Sequence, residues 1–169
     1  MEPPVQVRFR LTAEVILEGT LEVGAQEVRF FRYLKVIGMT VLPLVLITSL
    51  FSFKAFITVL PFGIMALFFI LVGPLQVFLL KRQIPKMKIL NEEICWTFSP
   101  TGTEQVTNES KSQETWKLYH KAVRTKKGFL IYPQEKVAYW IPFAAFNSAA
   151  EIEAVDALIA DQIKTYRRT

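Results

Sequence analysis

VIGMTVLPLVLITSLFSFKAFITVLPFGIMALFFILVGPLQVFLL, residues 36–80, contains a single charged side chain, Lys54. A bilayer core about 30 Å thick is crossed by roughly 20 helical residues at ~1.5 Å each. The run is too long for one crossing and has the length of two. Lys54 divides it into a first span, Val36 to Phe53, and a second, Ala55 to Leu80. An ammonium at the bilayer centre costs at least ~3 kcal/mol, whereas at an interface it reaches water. The spacing therefore predicts a helical hairpin with its turn near Phe51–Thr58, beside the polar Ser52 and Lys54. Pro43, Pro61 and Pro74 are compatible with membrane helices, where freed carbonyls find other partners, and Gly73-Pro74 is the expected kink. With no Asp, Glu, His, Asn or Arg inside the run, no proton relay or ion path is visible, which argues against a pump or transporter.

Orientation follows from the flanks. Arg29, Arg32 and Lys35 precede the first span, and Lys81, Arg82, Lys86 and Lys88 follow the second, against Lys54 alone in the turn. By the positive-inside bias both termini are expected in the cytoplasm. The run starts too late, is too long and lacks the cleavage pattern of a signal peptide. Three segments result: an N-terminal cytoplasmic strand and helix (1–35), the two-span hairpin (36–80) and a cytoplasmic domain (81–169). Of the net charge of +5, most falls in the last.

Outside the apolar run the periodicity changes. Val5, Val7, Phe9 and Leu11 alternate with Gln6, Arg8 and Arg10, the pattern of a half-buried strand, and a helix is expected from Thr12 to about Val28. Ile94, Trp96 and Phe98 alternate before a turn at Ser99-Pro100-Thr101-Gly102. The polar stretch Glu104–Glu114 allows one weak strand, and Trp116, Leu118 and His120 alternate with Lys117, Tyr119 and Lys121 as in another. Lys126-Lys127-Gly128 reads as a hairpin turn into Phe129–Tyr132, and Pro133–Lys136 as a turn into Val137–Ile141. Three to five short strands would make an antiparallel meander. Trp140 lies opposite Val137, Tyr139 and Ile141, so that strand is either buried on both faces or presents an apolar contact patch. A final helix begins at the S-x-x-E box of Ser148 and Glu151, with Ile152, Val155, Ile159, Ile163 and Tyr166 on one face. Acidic residues at its start and Lys164, Arg167 and Arg168 at its expected end suit the helix dipole. The fold class is thus α+β with membrane helices. About 80 residues make a marginal core, which the strand Val5–Leu11 could complete.

Trp116, Gly128-Phe129-Leu130-Ile131-Tyr132, Ile141-Pro142, Phe146 and the Ser148/Glu151 helix start resemble the YcxB-like family of bacterial membrane proteins. In motif the resemblance covers residues 116–163; in layout it extends to nearly the whole chain. It implies a PH-like domain, an antiparallel sheet capped by a C-terminal helix, in a bacterial inner (plasma) membrane protein, with no established enzymatic activity. Where family members often carry a basic residue after the Ile-Pro pair, this chain has Phe143.

Chemistry is sparse. The single cysteine, Cys95, excludes an intrachain disulfide or thiolate cluster, and the single histidine, His120, excludes a His-rich metal site. Glu92 and Glu93, as strand neighbours, point to opposite faces. No catalytic, cofactor-binding or metal-binding residue is expected, and no cofactor. The cations are too interspersed with carboxylates to track nucleic acid. The expected role is a membrane-tethered binding module, for a protein partner or for anionic lipid contacted by Lys81, Arg82, Arg124, Lys126 and Lys127. The competing roles are an accessory subunit of a larger membrane complex or homo-oligomer acting through its hairpin, and, less favoured, a membrane enzyme.

Overall fold

The computed structural model describes residues 4–27, 29–49, 53–135 and 137–169. The chain divides into two units, one made of the residues up to Val23 together with Lys86–Thr169, the other Gly24–Pro85. The first unit joins the two ends of the sequence. Strand β1 (Val5–Arg10) pairs antiparallel with β2 (Glu93–Ser99), with Val7 opposite Trp96 and Arg8 opposite Cys95. The N-terminal strand therefore completes the sheet of the C-terminal domain. Strands β3 (Gly102–Val106) and β4 (Lys111–Glu114) extend it in the order β1-β2-β3-β4. A second four-stranded sheet has the order β7-β6-β5-β8, from β5 (Lys121–Arg124), β6 (Gly128–Gln134), β7 (Val137–Pro142) and β8 (Tyr166–Arg168). All pairings are antiparallel except that of β5 with β8.

Alternation explains the core. Val7, Ile94, Trp96 and Phe98 of the first sheet meet Phe129, Ile131 and Ile141 of the second, together with Val155 and Ile159 of helix α4 (Ala149–Gln162). Fully burying each large side chain contributes roughly 1.5–3 kcal/mol. β6 is buried on both faces, which accounts for its unbroken apolar run. Phe129 and Ile131 enter the main core, whereas Leu130 and Tyr132 join Val123 in a second cluster flanked by Val23 and Trp140. Helix α1 (Ala13–Glu27) covers that outer face, Thr12 Oγ1 accepting from the Val15 amide at its start. It comes so close that a Cβ at Gly19 would lie 2.7 Å from the Trp140 ring. Trp140 is thus half-buried under a helix rather than an open contact patch.

Several expected elements are corrected. The polar stretch 104–114 holds parts of two strands, β3 and β4, joined by a turn in which Thr107 Oγ1 accepts from the Ser110 amide at 3.0 Å. β4 is an edge strand, and the inner β3 carries Glu104, held at the surface by Lys111 and Gln113, so apolar alternation is no guide to either. Trp116–Leu118 is a 3₁₀ turn rather than a strand, and Trp116 and Tyr119 are buried while Leu118 is exposed. A spacing of three is the 3₁₀ repeat, and the alternating pattern hid it. After Lys88 seven strands are described in place of three to five. α4 stops at Gln162, so Arg167 and Arg168 lie in β8 and not in the last helical turn. Ser148 Oγ caps the Glu151 amide at 3.2 Å, but the Glu151 carboxylate returns to the Asn147 amide at 3.0 Å rather than to that of Ser148.

The second unit contains helix α2 (Arg29–Ser49), with Pro43 inside, and α3 (Phe53–Gln83), which continues through Pro61 and Pro74. The two helices meet where Gly38 faces Ala66, close enough that a Cβ at position 38 would lie 3.0 Å from the Ala66 carbonyl oxygen. The range expected for the turn, Phe51–Thr58, falls largely on α3. Phe53–Thr58 is helical because it contains neither glycine nor proline to interrupt it. Residues 51 and 52 lie outside the described residues. Among the described residues one helical stretch, Leu60–Lys86, is long and apolar enough to cross a membrane, and 6 % of its 18-residue apolar window is buried, unlike the core helix of a soluble domain. The apolar stretch Val36–Val45 is shorter.

Trp116 is 4 % exposed and donates from Nε1 to the Ser99 carbonyl at 2.8 Å. Trp116→Ala is expected to destabilise the domain by about 3–5 kcal/mol, seen as rapid limited proteolysis within residues 93–168; an unchanged cleavage pattern would contradict this placement.

Candidate functional site

Where β1 and β2 run out, two backbone bonds extend their ladder. The Leu11 amide donates to the Glu92 carbonyl, and the Asn91 amide to the Leu11 carbonyl, each at 2.9 Å. Asn91 adopts φ 68°, a left-handed conformation that asparagine tolerates better than most residues. Beside this neck lies a cleft of about 790 Å³, within the ~300–1,000 Å³ range of small-molecule sites. Its walls come from α1 (Val15, Ile16, Gly19), the ends of β1 and β2, and β7 (Val137–Trp140). Its polar lining comprises Thr20, Glu92, Gln105, Thr107, Glu109 and Ser110. Trp96 and Tyr139 tilt against each other with ring centroids 5.1 Å apart.

Two charged clusters surround the core. In the first, Tyr119 Oη donates to Glu114 and lies 2.6 Å from Thr103 Oγ1, and Tyr139 Oη reaches Glu114 at 3.4 Å. Burial first, then the Glu114 carboxylate, pushes the Tyr119 phenol well above its ordinary range, and burial raises Tyr139 as well. Both phenols are therefore held protonated, and through them Glu114 of β4 is joined to Tyr119 and to Tyr139 of β7. In the second, the buried Asp156 of α4 accepts from Tyr166 and Arg168 of β8 and pairs with Arg124 at 3.0 Å. Arg124 also pairs with Glu153 at 2.6 Å. Burial and then Asp156 push the Tyr166 phenol up to about 12, while Arg124 holds the Glu153 carboxyl below the usual range.

Of the five expected lipid-contacting cations, two belong to the second unit and three to the first. Lys81 and Arg82 are exposed at the end of α3, in the second unit. Arg124 is committed to Glu153 and Asp156, with its guanidinium over the Phe143 ring. Lys127 pairs with Glu18 of α1 at 2.8 Å, an interaction that raises its pKa. Lys126 is exposed, and Thr125 Oγ1 shapes the turn by accepting from the Lys127 and Gly128 amides. Cys95 is half-buried with Gln6 Nε2 at 2.9 Å from its sulfur, and His120 is exposed. Among the described residues no group of His, Cys, Asp and Glu has the arrangement of a metal site. Sequence reasoning missed the cleft, because its lining is gathered from five separate stretches that carry no shared motif. It also missed the Asp156 cluster, whose only signal was an acidic residue on the apolar side of α4.

Residues 98–159 match the model of the YcxB-like protein family. No curated protein and no solved structure matches the chain. The matched segment runs from the end of β2 into α4 and so includes Glu114, Tyr119, Arg124 and Asp156, but neither β1 nor α1.

Replacing Asp156 by Asn removes the charge between two guanidinium groups. Arg168 is largely exposed, so a loss of roughly 2–3 kcal/mol is expected, below that for a fully buried pair. Hydrogen exchange at Tyr166–Arg168 should accelerate ahead of that in β6; unchanged exchange in β8 would show that Asp156 does not hold it.

Proposed function

We propose that the protein is a membrane-tethered binding module without catalytic chemistry, anchored in a bacterial plasma membrane by a hairpin of α2 and α3, with both termini in the cytoplasm. The observation that carries this reading is the pairing of β1 with β2. Strands hydrogen-bonded in one sheet lie on one side of a bilayer, so the chain between Arg10 and Glu93 crosses an even number of times or not at all. A single crossing by the apolar stretch Leu60–Lys86 is incompatible with that sheet. A return crossing through α2, whose Ile37, Met39, Leu44 and Ile47 are exposed, satisfies it. The exposed Ile64, Phe68, Leu71, Leu75 and Phe78 of α3 have the same need for an apolar surrounding. The basic flanks supply the orientation.

Within this reading the two-sheet domain with its helix α4 has the layered form of a PH-like module, and the apolar cleft is its binding surface. Arg124 and Lys127 already have carboxylate partners, which favours the cleft over the β5–β6 turn as that surface. A role as accessory subunit of a complex draws on the same exposed helix faces.

In a Cys95→Ser background, Lys54→Cys in intact cells is expected to react with a membrane-impermeant maleimide, and Lys126→Cys only after lysis. Labelling of Lys126→Cys in intact cells, or protection of Lys54→Cys under both conditions, would overturn the topology.

A further inference from the structure

Both chain segments that lead towards the apolar helices line the cleft. α1 contributes Val15, Gly19 and Val23 and ends at Glu27, with α2 starting at Arg29. The return segment contributes Ile89 and Glu92. Ile89 follows Gln83, the last residue of α3, by a stretch that reaches at most about 20 Å when fully extended. We propose that the cleft takes an acyl chain of a membrane phospholipid with an ammonium headgroup. This rests on the membrane-hairpin reading, which puts the cleft within reach of a lipid leaving the leaflet beside α3.

Three features select that ligand. The lining is mainly apolar, and two of its large apolar side chains, Ile89 and Val137, remain 48 % and 46 % exposed. An acyl chain laid along β7 and α1 removes both from water. The size fits a single chain rather than a folded partner. The charge at the rim is negative: Glu92 and Glu109 line the cleft, and no Lys or Arg does so among the described residues. That field attracts an ammonium group and repels an anionic headgroup, reversing the preference expected from the basic turn.

The test uses the full chain in vesicles containing a phospholipid with a diazirine in mid-chain, carrying either an ethanolamine or a glycerol headgroup. After illumination, adducts are mapped by peptide mass spectrometry. The ethanolamine probe is expected to label Val15–Val23 and Val137–Trp140 as well as α3, and the glycerol probe to label the cleft at least three-fold less. Val137→Asp, and independently Thr20→Trp at an exposed cleft-lining position, are expected to lower the cleft adducts at least five-fold. Adducts on α3 should persist, showing that each variant is folded and inserted. Adducts on α3 with none in the cleft would overturn the lipid site and leave it to a peptide added along β7. Equal labelling by the two headgroups would overturn the charge selection. Adducts on neither would overturn the membrane reading itself.

Discussion

The hydrogen bonding of β1 to β2 joins residues 5–10 to residues 93–99 around the whole apolar segment. Each strand alone is short and half apolar, and neither has a stable existence outside a sheet. Together they place Val7 against Trp96 and bury both. The apolar helices are thereby inserted into a domain rather than appended to one. In the proposed topology that insertion requires the chain to return to the side it left, a requirement that rests on the sheet, with the basic flanks supplying the orientation.

The same closure creates the cleft. Because β1 is followed directly by α1, the helix folds back over the outer face of the second sheet, where Gly19 admits the Trp140 ring and Glu18 holds Lys127. Beneath it β6 supplies two cores at once. At the far edge, Asp156 ties β8 to α4 and β5, so charged groups secure the parts of the second sheet that apolar packing reaches least. Of the cations around the β5–β6 turn, Arg124 and Lys127 are drawn into this internal pairing, whereas Lys126 is exposed. What remains open is the apolar trough between α1 and β7.

The sequence made some of this legible and left the rest hidden, for physical reasons. Alternation identified β1 and β2 because one face of each meets the core, the apolar run after a turn identified β6, and the S-x-x-E box marked the start of α4. Lys126-Lys127-Gly128 marked the β5–β6 turn, where a Cβ at Gly128 would lie 2.3 Å from the Ile141 carbonyl oxygen. β4 escaped because an edge strand needs no apolar pattern, and β3 because its polar Glu104 and Gln105 break one. The 3₁₀ turn at Trp116 imitated alternation over too few residues to be distinguished. β8 was read as helix because Tyr166 continued the apolar spacing of α4, and only its parallel pairing with β5 shows otherwise. The ion pairs of Lys127 with Glu18 and of Arg124 with Glu153 were hidden because sequence shows charges without their partners, and these carboxylates are distant in the chain.

The pairing of β1 with β2 can be tested directly through Cys95, which stands opposite Arg8. Opposed residues in an antiparallel pair have Cα separations of about 4.5–5.5 Å, within the range a disulfide bridges. In Arg8→Cys protein purified in detergent and mildly oxidised, an intramolecular disulfide should form. Cleavage within the apolar segment should then leave two fragments that migrate together until reduced. Arg10→Cys, opposite Glu93, should give fragments that separate without reductant. Fragments of Arg8→Cys that separate without reductant would contradict the closure of the domain around its membrane segment.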